Sequence, residues 1–497
     1  MLARDRARRP LGHTIVHVGV VLSLAFGSLA AAAGYWAVVK APELVRSPND
    51  PAVIAASRTV ARGQIVDRDG VVLARNERDA NGEVYRVYAT RAASQVVGYS
   101  SRRFGAAGLE RAFSAELSGL AVDPVADALR KFGSDPYDPQ DLTLSLSSEL
   151  QRAAVRALGD RRGAVVMLDP TNGEVLVLAS TPTYDASAIA DPSTAADAFA
   201  ALQEDPANPL LPRATLGRYV PGSVFKIVTA IAGLGSGAIT GGTRFEEQAE
   251  AGEDGLLVQG FRVREGHRLR RGEALNFGEA TEISSNIYYA LVGLRTGGEN
   301  LVRFAERLGF GAPLPFDLPT AVSQVTNARG DEPGGFVDDV ELANAAYGQG
   351  ETFVTPLQMA LVASTVANDG VLMRPRLVTA MGGKGGTRRI GPEELDRIIS
   401  AADARTIQRA MERAVEGELG RLFTSGAKVP GVPTAGKSGT AELGGEGEPH
   451  SWFIGFAPVI QPRVAIAVVV ERAGRGGTVA APLAGDLMEL FFEEYGE

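Results

Sequence analysis

At 497 residues the chain exceeds one ordinary domain and can bury a large core. A composition of 45% hydrophobic and 22% charged residues excludes wholesale disorder, and a formal charge of −9 with no basic stripe beyond the first nine residues argues against a nucleic-acid binder. Cysteine is absent and the four histidines (His13, His17, His267, His450) lack ligand spacing, which excludes thiol catalysis and disulfides and leaves no metal or cofactor to expect.

In chain order, Arg4, Arg6, Arg8 and Arg9 precede an uncharged apolar run from about Thr14 to Val39, long enough to cross a bilayer as a helix. Tyr35 and Trp36 fall near its far end, where aromatic residues favour the interface, and the arginines place the N-terminus in the cytoplasm. The expectation is a cytoplasmic tail at 1–13, an anchor at 14–39 and an exported remainder. The competing reading is a signal peptide cleaved near Ala30–Ala33; the apolar run continues past that point, which favours an uncleaved anchor. Residues 40–58 carry Pro42, Pro48 and Pro51 and read as a linker.

From Arg62 to Ala74, two short β-rich runs flank Asp69-Gly70, a hairpin signal. Gly108-Leu109-Glu110 opens an amphipathic helix that ends near Gly119. No continuous apolar pattern runs through this stretch, so 40–150 is read as a linker and a small module leaning on the domain C-terminal to it. That main domain occupies 151–497. It begins after a helix at Ser147–Leu158, with apolar strands at Gly163–Asp169 and Glu174–Ala179 joined by the turn cluster Pro170-Thr171-Asn172-Gly173. Thr355-Pro356-Leu357-Gln358 predicts a capping box with proline at the first helical position, on a helix running to about Asn368. Trp452–Ala457 and Val464–Val470 predict strands, and Leu483–Phe492 a closing helix. Strands at both ends with helices between them predict an α+β domain, one antiparallel sheet flanked by helices.

The stretch Tyr219–Ala230 carries the sharpest chemical signal. From Val224 to Leu234 nearly every residue is apolar, so the predicted helix is buried all round. Ser223 stands at its start and Lys226 one turn on, on the same face. Lysine is rarely buried without a partner. Desolvation favours the neutral amine, and a neutral amine beside a hydroxyl can take its proton. The alternative is a lysine that only snorkels from a core helix, so other motifs have to decide.

Gly431–Ser438 satisfies the phosphate-loop pattern G-x-x-x-x-G-K-[ST]. A phosphate loop needs an apolar strand before it and a helix after it. Here glycines and prolines precede it, and Gly439, Gly444, Gly445 and Gly447 follow. Lys437-Ser438-Gly439-Thr440 fits a different role: a strand offering a cation and two hydroxyls to a substrate carboxylate, with a glycine that lets a ligand lie close. Ser284-Ser285-Asn286, between two helical patterns, offers a hydroxyl for proton relay and an amide for a substrate carbonyl. Decoys exist, Ser425–Lys428 and Ser47–Asn49, but prolines and glycines surround the first and the linker holds the second. The set Ser223/Lys226, Ser284/Asn286, Lys437/Gly439 occurs in order, as in serine β-lactamases and penicillin-binding proteins.

On these motifs the chain resembles a class B penicillin-binding protein, a membrane-anchored peptidoglycan D,D-transpeptidase. Arg62–Gly70, Leu168–Ser180, Gly348-Gln349-Gly350 with Thr355–Ala360, and Trp452–Pro458 are also similar to family signatures. The resemblance implies that Ser223 attacks the carbonyl between the two terminal D-alanines of a stem peptide and that Lys226 takes its proton. It further implies an oxyanion hole from the backbone N–H groups of Ser223 and Thr440, proton transfer through Ser284 and Lys437, peptide orientation by Asn286, and a carboxylate clamp of Lys437, Ser438 and Thr440. The partners implied are peptidoglycan stem peptides, β-lactams and a polytopic shape-and-division glycosyltransferase. A short N-terminal module leaves the division or elongation subgroup open. The alternatives are a D,D-carboxypeptidase, a β-lactamase, or a non-catalytic β-lactam sensor or scaffold. Against a β-lactamase, Glu273-Ala274-Leu275-Asn276 is the nearest string to its deacylating glutamate, one residue short and on the wrong side of Ser284.

Overall fold

The computed structural model describes residues 11–36, 61–79, 82–119, 138–266, 272–420, 424–444 and 447–496. The N-terminal arginines, the 40–58 linker and His267 lie outside the described residues. Leu11–Tyr35 forms a helix of 25 residues, about 37 Å at 1.5 Å per residue. Its stretch Ile15–Tyr35 has a mean hydropathy of 2.1 and is long and apolar enough to cross a membrane.

The predicted hairpin forms between Ile65–Val66 and Val72–Arg78. Asp67 sets the turn, one carboxylate oxygen accepting from Asp69 N at 2.9 Å and Val71 N at 2.8 Å. The other oxygen accepts from Ser148 N at 3.0 Å and ties the turn to the next helix. Two strands from much later in the chain, Val378–Gly383 and Gly386–Arg389, complete this sheet. Its order is 386–389, 378–383, 141–144, 65–66, 72–78, 84–88. That explains the missing core pattern, because Ile65, Leu73, Leu142 and Leu144 are buried in the same cluster as Val224 and Phe225. The helix expected from Gly108 divides into Gly108–Ala112 and Ser114–Leu117, broken at Phe113, whose ring packs on the core. Glu110 is buried within it between Arg62 (2.8 Å) and Arg86 (2.7 Å).

The main sheet has five antiparallel strands, ordered 435–441, 450–457, 464–470, 163–168, 175–181. The last strands of the chain thus pair with the first of the domain. Every residue of Gly163–Leu168, Val175–Thr181 and Val464–Val470 is buried. Both faces of the sheet are covered, which is why these strands read as continuous apolar runs. Ser148–Leu158 and Ala480–Tyr495 cover one face, and the other carries Pro356–Ala367 together with the helix after Ser223. The predicted α+β architecture is therefore observed.

The capping box at Thr355 forms only by half. Thr355 Oγ1 accepts from Gln358 N at 3.1 Å, but the Gln358 amide turns to Leu308 O at 2.8 Å and Thr355 N donates to Ser323 Oγ at 3.1 Å. All of Pro356–Ala367 is buried, so the glutamine serves a buried carbonyl instead of its own cap.

Candidate active site

Three segments converge on Ser223. The first is its own turn. The sequence predicts an α-helix from Ser223, whereas the structure has a 3-10 turn, Gly222–Phe225, followed by the α-helix Lys226–Gly235. Residues three apart eclipse in a 3-10 turn, which stacks Ser223 and Lys226 on one side. The turn is held from outside: Tyr219 and Val354 exchange two backbone hydrogen bonds of 2.9 Å, Gly222 N donates to Gly348 O at 2.9 Å, and Trp452 Nε1 donates to Val220 O at 3.0 Å. Gly348 has φ +83°, and a Cβ there would lie 2.0 Å from Gly222 O. Only glycine fits at that position.

The second segment is Ser284-Ser285-Asn286, between the helices Phe277–Glu282 and Asn286–Thr296. Ser284 has φ +61°, left-handed for a non-glycine residue. Its carbonyl thereby accepts from Lys226 Nζ at 2.7 Å, and its hydroxyl lies 3.2 Å from the same nitrogen. Asn286 Oδ1 accepts from Lys226 Nζ at 2.7 Å while Nδ2 donates to Arg264 O at 3.0 Å, which fixes the amide's orientation.

The third is the edge strand Ala435–Ala441, which carries Lys437, Ser438, Gly439 and Thr440. Because Gly436-Lys437-Ser438 continues along a strand and opens no helix, the geometry excludes a phosphate loop. A Cβ at Gly439 would meet Pro221 O at 2.9 Å and Val224 Cγ1 at 3.1 Å, so glycine lets this strand lie against the nucleophile turn. Thr440 Oγ1 accepts from Gly476 N at 3.3 Å, and Ser438 Oγ lies 3.1 Å from Thr424 Oγ1.

Both lysines are fully enclosed: Lys226 is 0% and Lys437 1% exposed. Burial holds the Lys226 amine well below the ordinary lysine range; neighbouring Lys437 lowers it further, and Glu265 opposes both. Burial alone pushes Lys437 down to about 7, and its Nζ donates to Ser438 O at 2.9 Å. A neutral amine has two N–H donors and one lone pair. Ser284 O and Asn286 Oδ1 can only accept, so they occupy both donors of Lys226. The lone pair is left for a hydroxyl proton, from Ser284 or from Ser223 across the turn.

A cleft of about 680 Å³ opens above these groups, lined by Ser223, Ser284, Asn286, Ser438 and Thr440 among others. The structure thus brings all of the sequence-derived candidates together, with Lys226 and Lys437 sealed beneath the floor and Gly439 at the strand–turn contact. Sequence reasoning missed Glu265, Asn344, Tyr347 and Arg475, which also line the cleft. No fixed spacing marks them, since they reach the site from three distant segments: Glu265 after a small hairpin, Asn344 and Tyr347 at the end of the helix Asp339–Ala346, and Arg475 after the last strand. Glu273 is exposed away from the cleft, and Asn276 caps the helix Phe277–Glu282 through a capping box with Glu279.

This fold and this cleft define a serine acyltransferase of the penicillin-binding class. Residues 163–489 match the penicillin-binding protein transpeptidase domain, and residues 62–134 match the penicillin-binding protein A dimerisation domain. The chain belongs to the penicillin-binding protein transpeptidase family. It is 32% identical over 489 residues to the peptidoglycan D,D-transpeptidase PbpA of Mycolicibacterium smegmatis, covering 94% of this chain and 96% of that one. Its structure is similar to a ceftriaxone acyl-enzyme complex of penicillin-binding protein A from M. tuberculosis, with a TM-score of 0.78 and 30% identity over 88% of this chain and 99% of that one. A D,D-transpeptidase domain from Eggerthella lenta is similar at a TM-score of 0.75 and 32% identity, covering 88% of this chain and 99% of that one.

Proposed function

We propose that the chain is a class B peptidoglycan D,D-transpeptidase whose acylated residue is Ser223. The observation that carries this reading is the buried Lys226 amine, both of whose donors are taken by Ser284 O and Asn286 Oδ1 so that its lone pair is free for a hydroxyl proton. In the forward half-reaction Ser223 Oγ attacks the carbonyl between two terminal D-alanines and Lys226 accepts the proton. Backbone N–H groups of Ser223 and Thr440 stabilise the oxyanion. Ser284 and Lys437 return a proton to the departing D-alanine amine, and Asn286 orients the peptide. Ser438 and Thr440, with Lys437, hold the terminal carboxylate. An amine from a neighbouring stem then takes the acyl group and Ser223 recovers its proton. β-Lactams enter the same route and stop at the acyl-enzyme.

Hydrolysis of the kind a class A β-lactamase performs requires a glutamate free to activate water. Among the described residues the cleft is lined by two, Glu265 and Glu442. Glu265 accepts from Asn286 N, Ile287 N and Ser285 Oγ, and Glu442 is exposed at the rim. This disfavours the β-lactamase alternative. The apolar N-terminal helix supports a single-pass anchor at 14–39, with residues 1–13 cytoplasmic and the transpeptidase domain, 151–497, outside the bacterial cell membrane. The linker and module at 40–150, with the anchor, are the surfaces we assign to a polytopic glycosyltransferase partner.

The test is intact-mass measurement of the full-length protein after mixing with penicillin. One adduct, mapped to Ser223, absent in Ser223→Ala and surviving for many minutes, is expected. Hydrolysis of several penicillin molecules per second would sink the transpeptidase reading.

A further inference from the structure

The carboxylate of Glu265 is turned into the protein. Glu265 follows the small hairpin Leu256–Val258 and Phe261–Val263 at the cleft's edge. Its Oε2 accepts from Asn286 N at 2.7 Å, and its Oε1 accepts from Ile287 N at 3.3 Å and from the Ser285 hydroxyl. Ser285 Oγ in turn accepts from Tyr288 N at 3.0 Å and from Gln248 Nε2 at 3.0 Å. The first three N–H groups of the 11-residue helix Asn286–Thr296 are therefore all satisfied by Glu265 and Ser285. The preceding residue joins the same clamp, since Arg264 O holds Asn286 Nδ2. What the clamp fixes is the turn that touches Lys226 at two acceptors, with Ser284 in a backbone conformation that serine seldom adopts unaided.

We propose that Glu265 is a positioning residue for acylation: by anchoring residues 285–287 it holds Ser284 O and Asn286 Oδ1 on the Lys226 amine, which keeps the amine's lone pair on the hydroxyl side. The proposal rests on the acylation chemistry above and assigns Glu265 no contact with substrate. It has an electrostatic consequence. The groups facing the Lys226 amine are Lys437 from the edge strand, Glu265 from the segment after the hairpin, and the Tyr289 ring, 5.7 Å away on the Asn286–Thr296 helix. Glu265 is the charged group among them that favours the ammonium form, so removing its charge lets Lys226 shed its proton at lower pH.

The experiment compares full-length wild type, Glu265→Gln and Glu265→Asp in detergent by the pH dependence of penicillin acylation at Ser223, with initial binding separated from the acylation step. In Glu265→Gln one oxygen becomes an N–H donor facing other donors. We expect the acylation step to slow about 10- to 100-fold with initial binding little changed, as for a reacting group misplaced by a fraction of an ångström. The acid limb of the profile should move to lower pH. Glu265→Asp keeps the charge but withdraws it by one methylene, so it should slow acylation while leaving the acid limb in place. A wild-type rate in either variant overturns the proposal. So does a loss in Glu265→Gln that lies in initial binding alone, or that comes with an unmoved acid limb. If Glu265→Gln does not fold, Glu265→Asp decides alone by its rate. If wild type itself forms no adduct, the penicillin-binding reading falls first and takes this inference with it.

Discussion

Replacing Lys437 by methionine should stabilise the protein at neutral pH, by an amount that shrinks as the pH rises. Lys437 is 1% exposed and its pKa is pushed down to about 7 by burial. In an unfolded chain a lysine titrates near ~10.4. Between about pH 7 and pH 10, therefore, the unfolded chain carries a proton that the fold has shed. Unfolding takes up that proton, and stability increases with pH across this window. Below about pH 7 both states hold it, and the full penalty of roughly 5 kcal/mol applies. Methionine has similar length and no charge, so it removes the penalty at every pH. The difference in unfolding free energy between variant and wild type should thus fall by about 2 kcal/mol from pH 7 to pH 9. Urea unfolding in detergent at pH 7, 8 and 9, followed by the fluorescence of buried Trp452, measures it. A difference independent of pH would refute the reasoning, because Lys437 would then hold one protonation state throughout. The variant should also lose penicillin acylation if Lys437 acts at the substrate carboxylate as proposed.

Lys226→Ala should fold, since an apolar residue suits the buried start of Lys226–Gly235 at least as well as an amine, yet form no penicillin adduct; misfolding of this variant together with normal labelling of Ser223→Ala would make Lys226 structural. Gly348→Ala should lower the thermal midpoint and slow acylation at least tenfold, because its Cβ would fall 2.0 Å from Gly222 O and displace the nucleophile turn; an unaffected variant would show that the turn is not held there. A reporter fused after residue 60 should be active only outside the cytoplasm with the native N-terminus retained, whereas a new N-terminus near Ala33 would replace the anchor with a cleaved signal.

Much of the local structure was legible because it depends on neighbours in sequence. The apolar runs at 163–168 and 464–470, the proline at the first position of Pro356–Ala367 and the Asp-Gly hairpin all act within a few residues. The placement of Ser223 and Lys226 side by side was legible for the same reason, one turn separating them. The half-formed capping box was not, because the competitor for Gln358 is Leu308 O, 50 positions away. Nor was the 3-10 turn at Gly222–Phe225, which depends on Gly348, Val354 and Trp452.

By itself the sequence determined the motifs, their order and the family. Tertiary structure alone decided that Lys226 meets the Ser284–Asn286 turn, that strands 378–389 complete the N-terminal sheet, and that Glu265, at the cleft lining, holds the first N–H groups of the helix Asn286–Thr296. The physical reason is one of range. Helix, strand and turn preferences act over a few residues, whereas a buried amine takes its acceptors, and its charge state, from whatever the packed chain brings within about 3 Å.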